Sequence, residues 1–489
     1  MKWRQRKIIN SIRFIMVLLV TAARSSFTYA DSGQMKPESD GEESTSFQSG
    51  GYVEWRGLTA PNNATNVRGM LLTHEFNGKI DLEYKTDDWR WRSVSLLQID
   101  GSYVDKDWAQ GYRYCSDNRR FLNLTVCGEH YELSFPELYL EHDVAGIKVR
   151  AGNQLIKWGT ANFVSPTSYF GPKQMRNGFD LNPDATQGVP VLNLEKRYVG
   201  WKWNVVVAPF HVPGNVPQRG EFWYPETASA TMTPVLEQPA TLATSIANVG
   251  KGLRLTSFWN DTDISVSAYN GPDRDAVFQP MRAILVPSAP LLIEITPSYH
   301  NVTYYGTDFS RPIGDLTLNL EAAYSPNKTS LRPLGAGSDF SNYNFPGDTA
   351  SVPFVAYTLG FSYLLPVKGL WAAFSGKTAL VVEWYDAKYL SRSYSDPQQS
   401  GMFTWVINNT WRDGAINLNL IGVIDTKHAD SQMDQLMATY QFDEGLELEA
   451  AVSLIQAPQQ DATEITKQES IFSVFRDKDF ARFGVKFHF

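Results

Sequence analysis

The side chains that could do chemistry in this chain are scattered or incomplete as catalytic sets. Nucleophilic catalysis needs a nucleophile and a base held together. Seven histidines (His74, His130, His142, His211, His300, His428 and His488) are spread along the sequence, and none is followed two residues later by Ser or Thr. No Gly-x-Ser-x-Gly elbow is present. Ser375-Gly376-Lys377-Thr378 matches the end of a phosphate loop, but Trp371 stands where that loop needs Gly. Asp180, Asn182, Asp184 and Thr186 place oxygen ligands at alternate positions. They lack the sixth-position Gly and twelfth-position Glu of a calcium hand and enclose Pro183, so the segment reads as an Asx-rich loop. Cys115 and Cys127 are the only cysteines. They are disulfide candidates in an oxidising compartment, where closing the loop is worth roughly 3 kcal/mol. Neither a metal site, nor a cofactor, nor enzymatic activity is expected.

The coherent chemistry is charge set on alternate residues. If Ala145-Gly146 makes a turn, Glu141 pairs across strands with Arg150, and Asp143 with Lys148. Such pairs contribute ~0.2–1 kcal/mol each. Glu137, Glu141, Lys148, Arg150 and Gln154 then share one face, together with inward candidates such as Glu54, Arg56, Asp81, Glu83, Arg90, Arg92, Glu321 and Glu383.

Long strands are needed to hold them. From Met70 to Tyr84 apolar and polar residues alternate almost without a break, and period two means a strand. Fifteen residues far exceeds the usual ~5–6 of a globular strand. Similar alternation recurs at Leu316–Tyr324, Val355–Tyr363, Phe403–Trp411 and Leu446–Leu454. Short turns (Thr86-Asp87-Asp88, Val144-Ala145-Gly146, Asn260-Asp261-Thr262, Arg412-Asp413-Gly414, Asp443-Glu444-Gly445) alternate with long Pro/Gly/Asn-rich stretches. The pattern predicts an all-β chain: a transmembrane antiparallel up-and-down β-barrel of about 18 strands (16–18), with short periplasmic turns and long extracellular loops. Aromatics at strand ends, among them Tyr84, Trp89, Trp158, Trp201 and Trp259, suit interfacial girdles.

The composition agrees. The chain has 489 residues, 43% hydrophobic and 13% aromatic, with a mean hydropathy of -0.29. Beyond residue 30 no apolar run approaches the roughly 20 residues of a membrane helix. Residues 1–30 read as a secretory signal peptide: a basic start, the apolar stretch Phe14 to Ala23, and a cleavage site at Thr28-Tyr29-Ala30. Residues 31–46 read as a flexible leader and 47–489 as the barrel. The signal segment carries six basic and no acidic residues, so its removal takes the net charge from -8 to -14. A chain this acidic is not built to coat nucleic acid. The chain ends in an alternating strand closing on Phe489, which resembles the assembly signal of outer-membrane proteins and implies the barrel-assembly machinery as a partner.

An 18-stranded wall leaves an aqueous channel unless loops fill it. Segment 159–189, with Phe163, Tyr169, Phe170, Lys173 and Arg176, is the first candidate for an infolded constriction, and 210–250 the second.

Arg150-Ala151-Gly152-Asn153-Gln154-Leu155-Ile156-Lys157-Trp158-Gly159, followed by Ser165-Pro166-Thr167-Ser168-Tyr169-Phe170-Gly171-Pro172, resembles an element of large Gram-negative outer-membrane barrels. In that element an R-x-G-x-Q-x-x-x-W-G strand leads into an N-P-x-x-Y loop; Ser165 stands where the pattern has Asn. Val189 to Leu194 and Val205 to Phe210 fit the same pattern, so the likeness covers about residues 140–215. The chain is similar to an uncharacterised outer-membrane family whose members often accompany resistance-nodulation-division-type exporters, and more distantly to alginate-export porins. The resemblance implies a transport barrel of roughly 18 strands with outer-membrane lipid and a periplasmic exporter component as partners. The expected function is a porin-like channel in the Gram-negative outer membrane for passive passage or export of a solute. The alternative is a sleeve that docks a periplasmic exporter, lipid carrier or cytochrome.

Overall fold

The computed structural model describes residues 45–59, 71–100, 124–127, 131–173, 187–217, 223–224, 232–236, 242, 245–284, 291–331, 349–365, 377–391, 401–442, 445–458, 470, 472–476 and 478–489. The expected signal peptide, most of the expected leader, Cys115 and Arg176 lie outside the described residues.

Alternation converts directly into strands. In chain order they are β1 (Ser46–Thr59), β2 (Leu71–Lys85), β3 (Trp89–Asp100), β4 (Thr125–Cys127), β5 (Tyr131–Val144), β6 (Ile147–Gln154), β7 (Val189–Tyr198) and β8 (Trp201–Ala208). Next come β9 (Met232–Leu236), β10 (Gly250–Trp259), β11 (Thr262–Pro272), β12 (Val277–Ile284), β13 (Leu291–Ser298), β14 (Asn301–Ile313) and β15 (Leu316–Leu331). The last are β16 (Thr349–Leu365), β17 (Lys377–Tyr389), β18 (Met402–Trp411), β19 (Ile416–Asp425), β20 (Gln432–Gln441), β21 (Leu446–Gln456) and β22 (Phe480–His488).

All but β4, β9, β12 and β13 join one antiparallel wall of 18 strands, each paired with its neighbours in chain order, and β1 closes the ring on β22. β4 is a short flap on β5, and β9, β12 and β13 form a separate small sheet from the long connections. The short turns all fall on one side of the wall, with the start of β1 and the end of β22. Ala145-Gly146 and Asn260-Asp261 are two-residue turns with positive φ at both positions (55° and 73°; 47° and 59°). That conformation matches the twist of the strands it joins. The turn sets the register expected from the sequence: Glu141 opposite Arg150, and Asp143 opposite Lys148.

Period two then sorts the side chains. Leu140, Leu192, Leu253, Leu320, Leu359, Leu448, Phe483 and Val485 project outward and are exposed, so the outer surface is apolar. Tyr84, Trp89, Tyr198, Trp201 and Trp259 ring the short-turn end of that surface, as expected of a girdle. Trp158 does not join them. The chain leaves the wall after Gln154, and Trp158 is carried inside, 4% exposed.

The seam depends on a glycine. Gly51 N–H donates to the Phe489 carbonyl (3.0 Å), and Phe489 N–H donates back to the Gly51 carbonyl (3.0 Å). A Cβ at Gly51 would lie 2.1 Å from the Lys79 carbonyl oxygen and 2.9 Å from the Phe489 ring. Gly51→Val is therefore expected to impair ring closure. The expected cost is at least the ~1–3 kcal/mol of an overpacked site, read as a lower fraction of heat-modifiable folded barrel on cold gels.

Candidate functional site: the inner wall and the infolded loop

The inner face of β2 to β8 carries charge in columns. Asp81 and Glu83 on β2 face Arg90 and Arg92 on β3; next come Glu137 and Glu141 on β5, Lys148 and Arg150 on β6, Glu195 on β7 and Lys202 on β8. The sign of the paired columns changes from β2 to β3, β5 and β6, whereas Lys85 and Arg197 add a second sign to β2 and β7 at the turns. Arg92 reaches three carboxylates: Nε to Glu137 (2.8 Å), Nη1 to Glu83 (3.0 Å) and Nη2 to Asp81 (2.9 Å). Arg90 Nη2 donates to Glu83 (2.7 Å), and Arg150 pairs directly with Glu141. Lys202 Nζ lies 3.8 Å from Glu195. On β22, Arg482 pairs with Glu449 of β21 (2.6 Å), and Lys486 sits between Glu447 of β21 (3.6 Å) and, across the seam, Glu54 of β1 (3.7 Å). The Arg92 side chain keeps 25% exposure although the wall encloses it, so this sector is wet.

β7 to β17 present a different inner face, covered by the chain that follows β6. Glu321 on β15 accepts the Thr160 and Ala161 amides on Oε1, and on Oε2 the hydroxyls of Ser165 (2.7 Å) and Thr167 (2.8 Å). Glu383 on β17 accepts the Asn162 amide (2.6 Å) and side chain (2.8 Å) on Oε1, and the Phe163 amide (2.9 Å) on Oε2. Thr358 Oγ1 on β16 donates to the Val164 carbonyl (2.7 Å). A buried carboxylate needs this many donors to offset desolvation. An aromatic cluster fills the space beside the clamp. Trp158 meets Phe170 edge-on (5.2 Å between centroids), Tyr169 stacks on Tyr304 (5.1 Å), and Trp158 Nε1 donates to Asn204 Oδ1 (3.0 Å). This stretch of the inner wall is thus covered and packed. The described part of segment 159–189 is the infolded piece expected from the sequence, and its aromatic side chains pack against this side of the wall.

From the second candidate segment, 210–250, the described Trp223 packs on inward side chains of the wall. Trp223, fully buried, packs on Phe475 and Phe480 (5.9 and 5.3 Å), beside the inward side chains Leu58, Met433 and Ile455.

The outer end of the loop is tied by ions. Lys328 Nζ contacts Asp273 (2.8 Å), Asp275 (2.9 Å) and the Tyr304 hydroxyl (2.8 Å), and Lys173 Nζ contacts Asp275 (2.6 Å). Arg274 donates to the Ser165 carbonyl (2.8 Å). Burial opposes ionisation of Asp275, but Lys173, Lys328 and Arg274 together hold its carboxyl well below the usual range.

Of the sequence candidates, Glu137, Glu141, Lys148 and Arg150 come together on the wet sector. Gln154 shares their face but is covered, 3% exposed, donating to the Val191 carbonyl (3.2 Å) and accepting from Asn193 (3.3 Å). Lys173 belongs to the ionic tie at the end of the loop, some way along the chain from the columns. Cys127 on β4 is disulfide-bonded; Cys115 is the other cysteine. Glu321 and Glu383 read from sequence only as inward polar residues; no local signal marks them as the loop's anchors.

His211 sits under the outer connections, its ring tilted 4.4 Å from that of Tyr299, with Nδ1 accepting from the Leu242 amide (3.4 Å). Burial pushes its pKa down to about 4. The folded form therefore keeps His211 neutral, while the unfolded segment takes a proton below about 6.5. Stability is lost as pH falls from about 6.5 towards 4, by up to roughly 3 kcal/mol. A urea midpoint that falls over this window in the wild type, with a shallower fall in His211→Phe, checks it.

No protein-family model and no curated protein matches the chain. Solved structures similar to it include OmpT, an outer membrane protein of Vibrio cholerae (10% identity, TM-score 0.36, covering 91% of this chain and 99% of that one). A mutant of Rh. blastica porin (13%, 0.36, 91% and 100%) and Salmonella typhi OmpF in complex with daunomycin (8%, 0.39, 91% and 97%) are others. The likeness is to outer-membrane β-barrels and is one of layout alone; the architecture itself rests on the ring order and register of the 18 wall strands.

Proposed function

We propose that the protein is a porin-like channel of the Gram-negative outer membrane, reached after signal-peptide cleavage near Ala30, through which a solute passes by diffusion. The observation that carries this reading is the pairing of an apolar outer surface with partly exposed charges enclosed by the wall, Arg92 foremost. Enclosed charge of this kind needs water around it. The infolded loop narrows the lumen from one side and leaves the charged sector open on the other. Glu137, Glu141, Lys148 and Arg150 are the selectivity candidates, with Gln154 and Lys173 as supports of the constriction. The test is planar-bilayer recording of the purified barrel. Stable single-channel steps are expected; a folded barrel that gives none overturns the reading.

Glu137→Gln with Glu141→Gln leaves Arg92 and Arg150 without two of their partners. Ion preference is expected to move towards anions, with the reversal potential in a salt gradient shifting accordingly. An unchanged reversal potential removes these residues from the selectivity role.

A further inference from the structure

We infer that the charged sector favours zwitterionic solutes over solutes of a single charge; this rests on the channel reading above. The observation is the order of signs. From β2 to β7 the ion-paired columns run acidic (Asp81 and Glu83), basic (Arg90 and Arg92), acidic (Glu137 and Glu141), basic (Lys148 and Arg150) and acidic (Glu195), while at the turns Lys85 beside Arg90 and Arg197 beside Lys202 break the order.

Neighbouring strands lie about 4.8 Å apart, so the charge pattern repeats about every 9.6 Å around the wall. The field of such an alternating array falls off over its period divided by 2π, about 1.5 Å. An ion on the pore axis therefore meets almost no field. An ion pressed against a column of opposite sign meets, one strand spacing to either side, columns that repel it. A solute carrying an ammonium and an acid group a few bonds apart can set each against its own column. It gains twice where a single ion gains and loses. The pairs on the wall leave room for this: the Arg90, Arg92 and Arg150 side chains keep 25–30% exposure. A patch of one sign would act in the opposite way, with a field that reaches the axis and selects ions by sign.

Tracer efflux from proteoliposomes holding the full chain tests this with two matched pairs in potassium chloride. Taurine and isethionate differ by an ammonium in place of a hydroxyl. Glycine betaine and choline differ by a carboxylate in place of a hydroxymethyl. Erythritol serves as the neutral control. Taurine is expected to leave faster than isethionate, and glycine betaine faster than choline, by about three- to five-fold, the factor one exposed ion pair supplies. In Glu137→Gln/Glu141→Gln, isethionate is expected to overtake taurine. Equal wild-type rates within either pair, with erythritol still leaving, overturn the inference and leave the channel standing. Retention of erythritol as well overturns the channel reading and the inference with it.

Discussion

Glu321→Ala is expected to release the infolded loop and to destabilise the folded barrel by about 3–5 kcal/mol, the usual cost of breaking a buried charged network from one side. Glu321 is 3% exposed and holds two backbone amides and two hydroxyls of a segment about 160 residues away in sequence. Its removal strands those donors in a covered and packed stretch of the inner wall. Each lost hydrogen bond to a charged group is worth about 1.5–3 kcal/mol, and partial relaxation of the loop keeps the sum below simple addition. Gly159 limits the relaxation. Its φ of 92° and the Ser165 hydroxyl 2.3 Å from where its Cβ would stand show how closely the loop wraps the carboxylate. Glu321→Gln keeps an acceptor and loses the charge, so its effect is expected to be about half as large. Urea midpoints of the two variants and open-channel current noise are the measurements. An Ala variant with the wild-type midpoint and quiet current would show that the clamp does not hold the loop.

Much of the wall is legible in the sequence, because a strand writes its two faces into its own alternation. Met70 to Tyr84 shows this in fifteen residues, and β2 covers nearly the same span. The pairing of Glu141 with Arg150 is legible too, since a two-residue turn leaves no freedom of register. The clamp is not. Glu321 and Thr160 meet only because the chain turns inward after β6 and reaches β15, six strands further round the ring, and no local pattern encodes such a contact. Trp158 shows the other limit. A strand-end Trp reads as an interfacial anchor until the chain turns inward after Gln154 and gives its ring Phe170 and Tyr169 to pack on. The sequence signal was the glycines of the facing strands, Gly252 and Gly306, which leave the wall thin where the rings dock.

Those glycines carry the second large prediction. A Cβ at Gly306 would lie 2.0 Å from the Tyr169 hydroxyl oxygen, and one at Gly252 would lie 2.7 Å from the Trp158 ring and 2.8 Å from Phe170. Gly306→Val therefore has to expel Tyr169 from its stack between Tyr269 and Tyr304. β14 cannot yield instead, because it is bonded along its length to β11 and β15. Overpacking costs about 1–3 kcal/mol, and here that cost falls on the loop and not on the wall. Amide hydrogens of residues 155–173 are expected to exchange about 5- to 150-fold faster, the factor those energies give, while peptides from β21 keep their protection. Uniform loss of protection in both regions would mean that loop and wall unfold as one unit. Because Glu321 and Gly306 act on the same segment, Gly306→Val in the Glu321→Ala background should add much less than it does alone. Full additivity would place the carboxylate clamp and the aromatic dock on independent pieces of structure, and the constriction would then be two devices instead of one.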